Sequence, residues 1–208
     1  MATRVKICGL TRREDVRAAD SAGADFLGFV MAPSRRRIAP ERAREIADGV
    51  RAARVAVTVG ATPAELDRIV EIFAPDFIQF HGSESPHHVL SEGARLGVRT
   101  IKAVGVAEPA DLRLAETYAA CDLVLYDAKP PKGARVQGGH GAAFDWGLLT
   151  AAPRPRVWAL AGGLTPCNVA DAVARTGAPM VDTASGVESA PGLKDAGLIR
   201  AFIAAARG

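Results

Sequence analysis

The sequence predicts an α/β fold, a single closed (β/α)8 barrel of the TIM type over residues 1–208. Short apolar runs alternate with helical segments eight times at roughly even spacing, the pattern of a parallel sheet wrapped in helices. No composition shift or linker separates any two units, so one core serves them all. Glycine-rich turns come late, after the seventh and eighth strands. A doubly wound open sheet, the main rival, puts its phosphate turn near the first strand.

The first strand is Arg4-Val5-Lys6-Ile7-Cys8, broken by Gly9. Thr11 and Glu14 have the spacing of a capping box, which predicts a helix running to about Ala22, where Gly23 ends it. Residues 25–30 are apolar nearly throughout, as a parallel strand covered on both faces must be. The loop 31–37 leads to a helix that Pro40 can open and that carries Ala43, Ile46, Ala47 and Val50. Strand three is 54–59. Thr62-Pro63-Ala64-Glu65 repeats the capping box ahead of Leu66, Ile69, Val70 and Phe73. The fourth strand, 76–80, closes on His81-Gly82, and its helix over 85–96 stops at Gly97. Strand five, 99–104, ends at Gly105, before a helix over 108–119 that buries Leu112, Ala115 and Ala119. Strand six, 121–126, ends at Asp127. The long Gly-rich loop 128–143 is the expected lid, and a short helix near 145–150 follows it. Strand seven, 156–161, turns at Gly162-Gly163, and Thr165-Pro166 opens a helix with Val169, Ala172 and Val173. The eighth strand is 179–183. After Ser185-Gly186, a last helix over 194–207 buries Ile199, Phe202 and Ile203.

Composition narrows the partners. With 49% hydrophobic and 24% charged residues the chain can fill a substantial core. A net charge of +3 and a pI near 9.0 indicate a mildly basic surface, not the concentrated field of a nucleic-acid binder, so an anionic small molecule fits better. Cys8, Cys121 and Cys167 are odd in number, far apart and without a C-x-x-C pair. Neither a disulfide framework nor a zinc site is expected, and a reducing cytoplasm is. No leader-like segment opens the chain and no apolar run approaches ~18 residues, so a soluble protein without a membrane partner is expected.

Barrels of this kind build their active sites at the C-terminal strand ends. Those ends supply Cys8, His81, Asp127, Gly162, Gly163, Ser185 and Gly186, with the arginine loop 35–37 beside the second. Strand alternation places Lys6 and Cys8 on one face, pointing inward, and likewise pairs Gln79 with His81. Each residue also has a plain structural role open to it. A buried thiol packs inertly, Asp127 caps a loop, His81 is a satisfied core histidine, the arginines are solvated, and Lys6 and Lys102 neutralise inward acids such as Asp182. The two glycine turns point further. They let backbone N–H groups approach an anion, and a helix start at Thr165 would add about half a positive charge. A phosphate-bearing substrate, with a thiol and a carboxylate facing each other from strands one and six, suits proton transfer.

The residues 6–11 (Lys6-Ile7-Cys8-Gly9-Leu10-Thr11), 23–25 with 28–30, Ser34-Arg35-Arg36, Gln79-Phe80-His81-Gly82 and 101–104 form an ordered series. It continues through Tyr126-Asp127, Phe144-Asp145-Trp146, 160–164, 182–188 and Pro191-Gly192-Leu193-Lys194-Asp195. In order and spacing this series resembles the phosphoribosylanthranilate isomerase family over nearly the whole chain. The resemblance implies an Amadori rearrangement of N-(5-phosphoribosyl)anthranilate to 1-(2-carboxyphenylamino)-1-deoxyribulose 5-phosphate, with no cofactor and no metal. It implies Asp127 as the general acid that opens the sugar and Cys8 as the thiolate that removes the C2 proton, helped by Lys6. Arg36 would clamp the anthranilate carboxylate, and Gly162, Gly163, Ser185 and Gly186 would hold the phosphate. His81, Lys6 and Asp182 complete the expected substrate-binding set. The implied partner is a small phosphosugar, with no nucleic acid or membrane, and the chain a monomer or homodimer. In the lid this sequence reads Gly138-Gly139-His140-Gly141-Ala142-Ala143, without the family's lysine. Arg36 is chosen over Arg35 and Arg37 by anchoring from Ser34 and Ile38. Two other readings stand beside it: a histidine-pathway or bifunctional phosphoribosyl isomerase, and a non-catalytic phosphosugar-binding barrel.

Overall fold

The computed structural model describes residues 2–129, 145–150, 155 and 157–208. Eight strands pair in parallel and in sequence order: β1 (Arg4–Cys8), β2 (Phe26–Val30), β3 (Ala53–Thr58), β4 (Phe77–Phe80), β5 (Arg99–Val106), β6 (Leu123–Ala128), β7 (Trp158–Leu160) and β8 (Met180–Thr183). Strand β8 pairs with β1, Asp182 lying opposite Lys6, and the barrel closes as the sequence predicts. Between the strands lie α1 (Arg13–Ser21), α2 (Pro40–Ile46), α3 (Pro63–Phe73), α4 (Pro86–Leu96), α5 (Pro109–Glu116), the single turn α6 (Gly147–Thr150) and α7 (Val169–Thr176), and α8 (Ala196–Arg207) ends the chain.

Alternation along the strands makes two cores. Val5, Ile7, Leu27, Phe29, Val124 and Tyr126 pack outward under the helices, while Phe26, Val55, Phe77, Ile101, Leu125 and Met180 fill the barrel. Burying one such aliphatic or aromatic side chain contributes roughly 1.5–3 kcal/mol. A slip of one residue would exchange the two sets, so packing fixes the register. At the N-terminal face, aspartates just ahead of the even strands reinforce it. Asp25, Asp76 and Asp122 accept from the backbone N–H of Val5, Arg54 and Thr100 on the preceding strand at 2.7–2.8 Å. The opposite face is left to loops.

Several local expectations change. The capping box at Thr11 does not form: Arg12 is the N-cap of α1, its guanidinium pairs with Asp15 at 2.6 Å, and Thr11 Oγ1 donates instead to the Gly192 carbonyl. The box at Thr62 and Glu65 does form. Helix α5 ends at Glu116, so Ala119 is exposed and Tyr118 takes the buried place. Helix α7 starts at Val169 rather than Thr165, because Asn168 Oδ1 accepts from the Thr165 N–H and closes a separate turn. Lys194 does not begin the last helix. Asp195 caps that helix by accepting from Leu198 N–H, and Lys194 lies on a small hairpin, β9 (Glu188–Ala190) and β10 (Leu193–Lys194). Lys102 points outward, toward Glu84 at 2.9 Å, and neutralises no acid inside the barrel. Beyond Lys129 the expected lid lies outside the described residues.

Candidate active site

Strand β1 brings Lys6 and Cys8 to the inner face, one above the other, because Val5 and Ile7 are claimed by the outer core. Lys6 is fully buried, and its ammonium donates to Asp182 Oδ2 at 3.0 Å. Burial alone would lower its pKa; Asp182, with Cys8 beside it, more than offsets this and holds Lys6 above its ordinary value. Burial pushes Asp182 upward, and Lys6 offsets part of that. Among the described residues Asp182 Oδ1 has no hydrogen-bond partner and is a buried, open acceptor. The Cys8 thiol is also pushed up by burial, and Lys6 only partly counters it. Lys6 therefore eases ionisation of the thiol without outweighing its burial.

Room for the thiol comes from β2. Gly28 lies opposite Cys8, and a Cβ built there would sit 2.7 Å from Sγ and 3.1 Å from the Cys8 Cα. Gly28→Ala should cost on the order of 1–3 kcal/mol through overpacking. It should lower kcat by at least ~10-fold, the effect expected of a small misplacement of the thiol proposed below as the base. Thermal melts and steady-state kinetics on the same preparation check this; unchanged kcat in the folded variant would show that thiol placement does not matter.

Strands β4 and β6 supply the other half. His81 Nε2 lies 3.3 Å from Asp127 Oδ2, and the Gln79 side-chain amide meets His81 Nδ1 at 2.9 Å. With the Gln79 nitrogen toward Nδ1, that ring nitrogen accepts and the ring proton is assigned to Nε2, the nitrogen nearer Asp127. Asp127 Oδ1 accepts from the Ala128 N–H at 2.8 Å. His81 and Asp127 both keep partial exposure toward the mouth. Asp182, deeper in, feels both of them electrostatically.

Of the three loop arginines only Arg36 turns inward. Ser34 Oγ accepts from its backbone N–H, Ile38 is buried and donates to the Val30 carbonyl, and Arg35 and Arg37 are exposed. The Arg36 guanidinium meets Glu188 with two parallel bonds, and Lys194 reaches the same carboxylate at 2.9 Å. Burial works against charge on Glu188, but Arg36 and Lys194 outweigh it and pull its carboxyl down to about 2. A carboxylate lowered on folding stabilises above its ordinary pKa near ~4.3 and loses that contribution as pH falls toward the folded value. Wild type should thus lose stability between about pH 4.3 and 2 that Glu188→Gln does not; acid melts of the two proteins, parallel through that window, would contradict it.

The turns after β7 and β8 face each other. Gly162 and Gly163 both hold positive φ, 89° and 64°, and their N–H groups donate to no other described residue. Ser185 and Gly186 open a three-residue 3₁₀ turn, and Thr183 Oγ1 ties it to the first turn by donating to the Leu164 carbonyl at 2.8 Å. The start of α7 lies behind the separate 166–168 turn, so its dipole is farther from Gly162 than the sequence suggested. A concavity of about 530 Å³ lies elsewhere, at the N-terminal face beside Arg44, Phe73 and Asp76, where such barrels keep stability rather than chemistry. Among the described residues no group of three or more His, Cys, Asp or Glu is arranged to hold a metal ion.

Residues 5–205 match the family model described as N-(5'phosphoribosyl)anthranilate (PRA) isomerase. The chain belongs to this family. The N-(5'-phosphoribosyl)anthranilate isomerase of Cereibacter sphaeroides is 50% identical over 210 residues, 98% of either chain. Phosphoribosyl anthranilate isomerase from Thermotoga maritima superposes with a TM-score of 0.90 at 38% identity, covering 99% of both chains. A phosphoribosyl anthranilate isomerase crystallised with reduced 1-(o-carboxyphenylamino)-1-deoxyribulose 5-phosphate gives 0.87 at 36%, again over 99% of both.

Within this isomerase-family barrel the residues singled out from sequence fall into three groups. Lys6, Cys8 and Asp182 meet at the floor, His81 and Asp127 at one wall, and Gly162, Gly163, Ser185 and Gly186 at the turns after β7 and β8. Arg36 joins them from above β2, its stem lying over Gly9, the residue after Cys8. Glu188 and Lys194 were not anticipated from sequence. The Pro191-Gly192 pair between two short extended runs is a hairpin signal that would have placed both on paired strands.

Proposed function

We propose that this chain, working as one barrel domain over residues 1–208, isomerises N-(5'-phosphoribosyl)anthranilate to 1-(2-carboxyphenylamino)-1-deoxyribulose 5-phosphate. The observation that carries the reading is the approach of Cys8 on β1 and Asp127 on β6 to one mouth, in a chain of this family. In the proposed cycle Asp127 gives its proton to the furanose ring oxygen as the C1–O bond breaks, leaving an iminium between C1 and the aryl nitrogen. Cys8, as thiolate, takes the C2 proton, and the electron pair moves to neutralise the iminium and form an enolamine. Protonation at C1 and loss of the hydroxyl proton at C2 then give the ketone, so the step is a net transfer of hydrogen within the molecule. The developing iminium lies near a thiol that burial holds protonated, and its positive charge favours ionisation at the moment the base is needed.

His81 positions Asp127, and Asp182 Oδ1 supplies an acceptor for a sugar hydroxyl. Arg36 takes the anthranilate carboxylate. The N–H groups of Gly162 and Gly163, unpaired among the described residues, take the phosphate with the Ser185-Gly186 turn. Among the described residues no helix is long and apolar enough to cross a membrane, which is compatible with the cytoplasmic location we assign; a monomer or homodimer is the proposed assembly.

The test is an assay with substrate formed in the cuvette from anthranilate and phosphoribosyl pyrophosphate, followed by loss of anthranilate-type fluorescence. Turnover is expected. No conversion by well-folded protein would sink the assignment, and turnover of a bis-phosphorylated histidine-pathway aminoaldose in its place would turn it toward that chemistry.

A further inference from the structure

A guanidinium has two edges that can each grip a carboxylate: a side edge of Nε with one terminal nitrogen, and an end edge of both terminal nitrogens. In Arg36 the side edge is already taken. Nε donates to Glu188 Oε1 at 2.7 Å and Nη2 to Oε2 at 2.8 Å. Nη1 has no partner among the described residues, so the end edge is open. Glu188 is itself held. Its Oε1 also accepts from Lys194 Nζ at 2.9 Å, and that ammonium donates to the Ala184 carbonyl at 2.8 Å. The Lys194 side chain is fully buried and that of Glu188 nearly so, 0% and 5% exposed. Both sit on the β9–β10 hairpin, so paired backbone, rather than a loop tip, sets where the carboxylate stands. The Arg36 stem packs over Gly9, where a Cβ would lie 2.4 Å from Cδ, immediately after Cys8.

We propose that Glu188, braced by Lys194, is a positioning residue that sets substrate specificity: it locks the plane of Arg36 so that the open end edge meets an aryl carboxylate. The proposal rests on the reading of Arg36 as the carboxylate-binding group. Charge supports it. Two cations and one anion leave a single positive charge at this spot, matched to one incoming carboxylate. Without Glu188 the cations would repel, and Arg36 would have to be ordered by the ligand itself, at the cost of its affinity.

A plain structural ion pair would hold the hairpin but would not distinguish ligands, so the test measures a preference. Inhibition constants are compared for the reduced product analogue bearing the o-carboxyphenyl group and for its phenyl counterpart lacking the carboxylate. Charged hydrogen bonds to one carboxylate correspond to a preference of ~10- to 150-fold in wild type. In Glu188→Gln that preference should shrink at least ~10-fold, while affinity for the phenyl compound stays within about threefold. Glu188→Asp keeps the charge but withdraws the fork by one methylene, and should lose preference too. It answers the same question if the glutamine variant does not fold by circular dichroism. Full wild-type preference in a folded variant would overturn the role of Glu188 alone. Equal affinity of wild type for the two compounds would overturn the carboxylate role of Arg36, and the proposal with it.

Discussion

Cys8→Ala and Asp127→Asn should each lower turnover by ~10²- to 10⁴-fold or more while the barrel stays folded. The fold should survive because neither side chain holds a long-range contact that the strands depend on. Cys8 is a small group beneath the mouth, and Asp127 makes one bond to its own neighbour and one approach to His81. The pH dependence separates the two roles. A base works when ionised, so kcat/KM should climb with pH as Cys8 loses its proton. Burial has moved that thiol upward, and the climb should continue past the usual thiol value near ~8.5. The rising limb should persist at reduced height in Asp127→Asn and vanish in Cys8→Ala. A wild-type limb centred at or below ~7 would mean that Lys6 outweighs burial, contrary to the environment seen here.

The barrel was legible because its signals are local and repeat. Apolar runs of strand length, helix stripes and caps such as Thr62 with Glu65 all agree on the same alternation, and period-two alternation alone turns Lys6 and Cys8 inward. The candidate site was legible where it coincides with strand ends, since topology carries Cys8, His81, Asp127 and the two glycine turns to one face. What escaped depends on contacts across the chain. Thr11 looks like a cap until Gly192, some 180 residues later, takes its hydroxyl. Lys194 reads as a helix start until Glu188 and the Ala184 carbonyl claim its ammonium. Lys102 reads as an inward charge, yet a two-residue period counted from Ile101 turns it outward to Glu84. The protonation state of Cys8 was the least accessible from sequence, because it is the difference between a burial penalty and the attraction of one buried lysine.

That lysine is where the largest stability effect is expected. Lys6→Met removes the sole hydrogen-bond donor to Asp182 Oδ2 among the described residues, and leaves a carboxylate with neither oxygen paired by them inside the barrel. Breaking one partner of a buried pair costs ~3–5 kcal/mol. At roughly 2–4 °C per kcal/mol for a chain of this size, the melting temperature should fall by on the order of 10 °C. The double variant Lys6→Met with Asp182→Leu removes both charges and replaces them with apolar volume, so it should recover most of the lost stability. Turnover should not return with it. Both the ammonium that partly offsets the burial of the thiol and the open Asp182 oxygen are gone in that variant, so stability and catalysis should separate. Melts and kinetics on the two proteins decide the matter. A single variant within ~1 kcal/mol of wild type would mean water reaches Asp182 and the pair is not truly buried. A stable double variant with full turnover would leave the pair as scaffold only, with Cys8 ionised by its substrate alone.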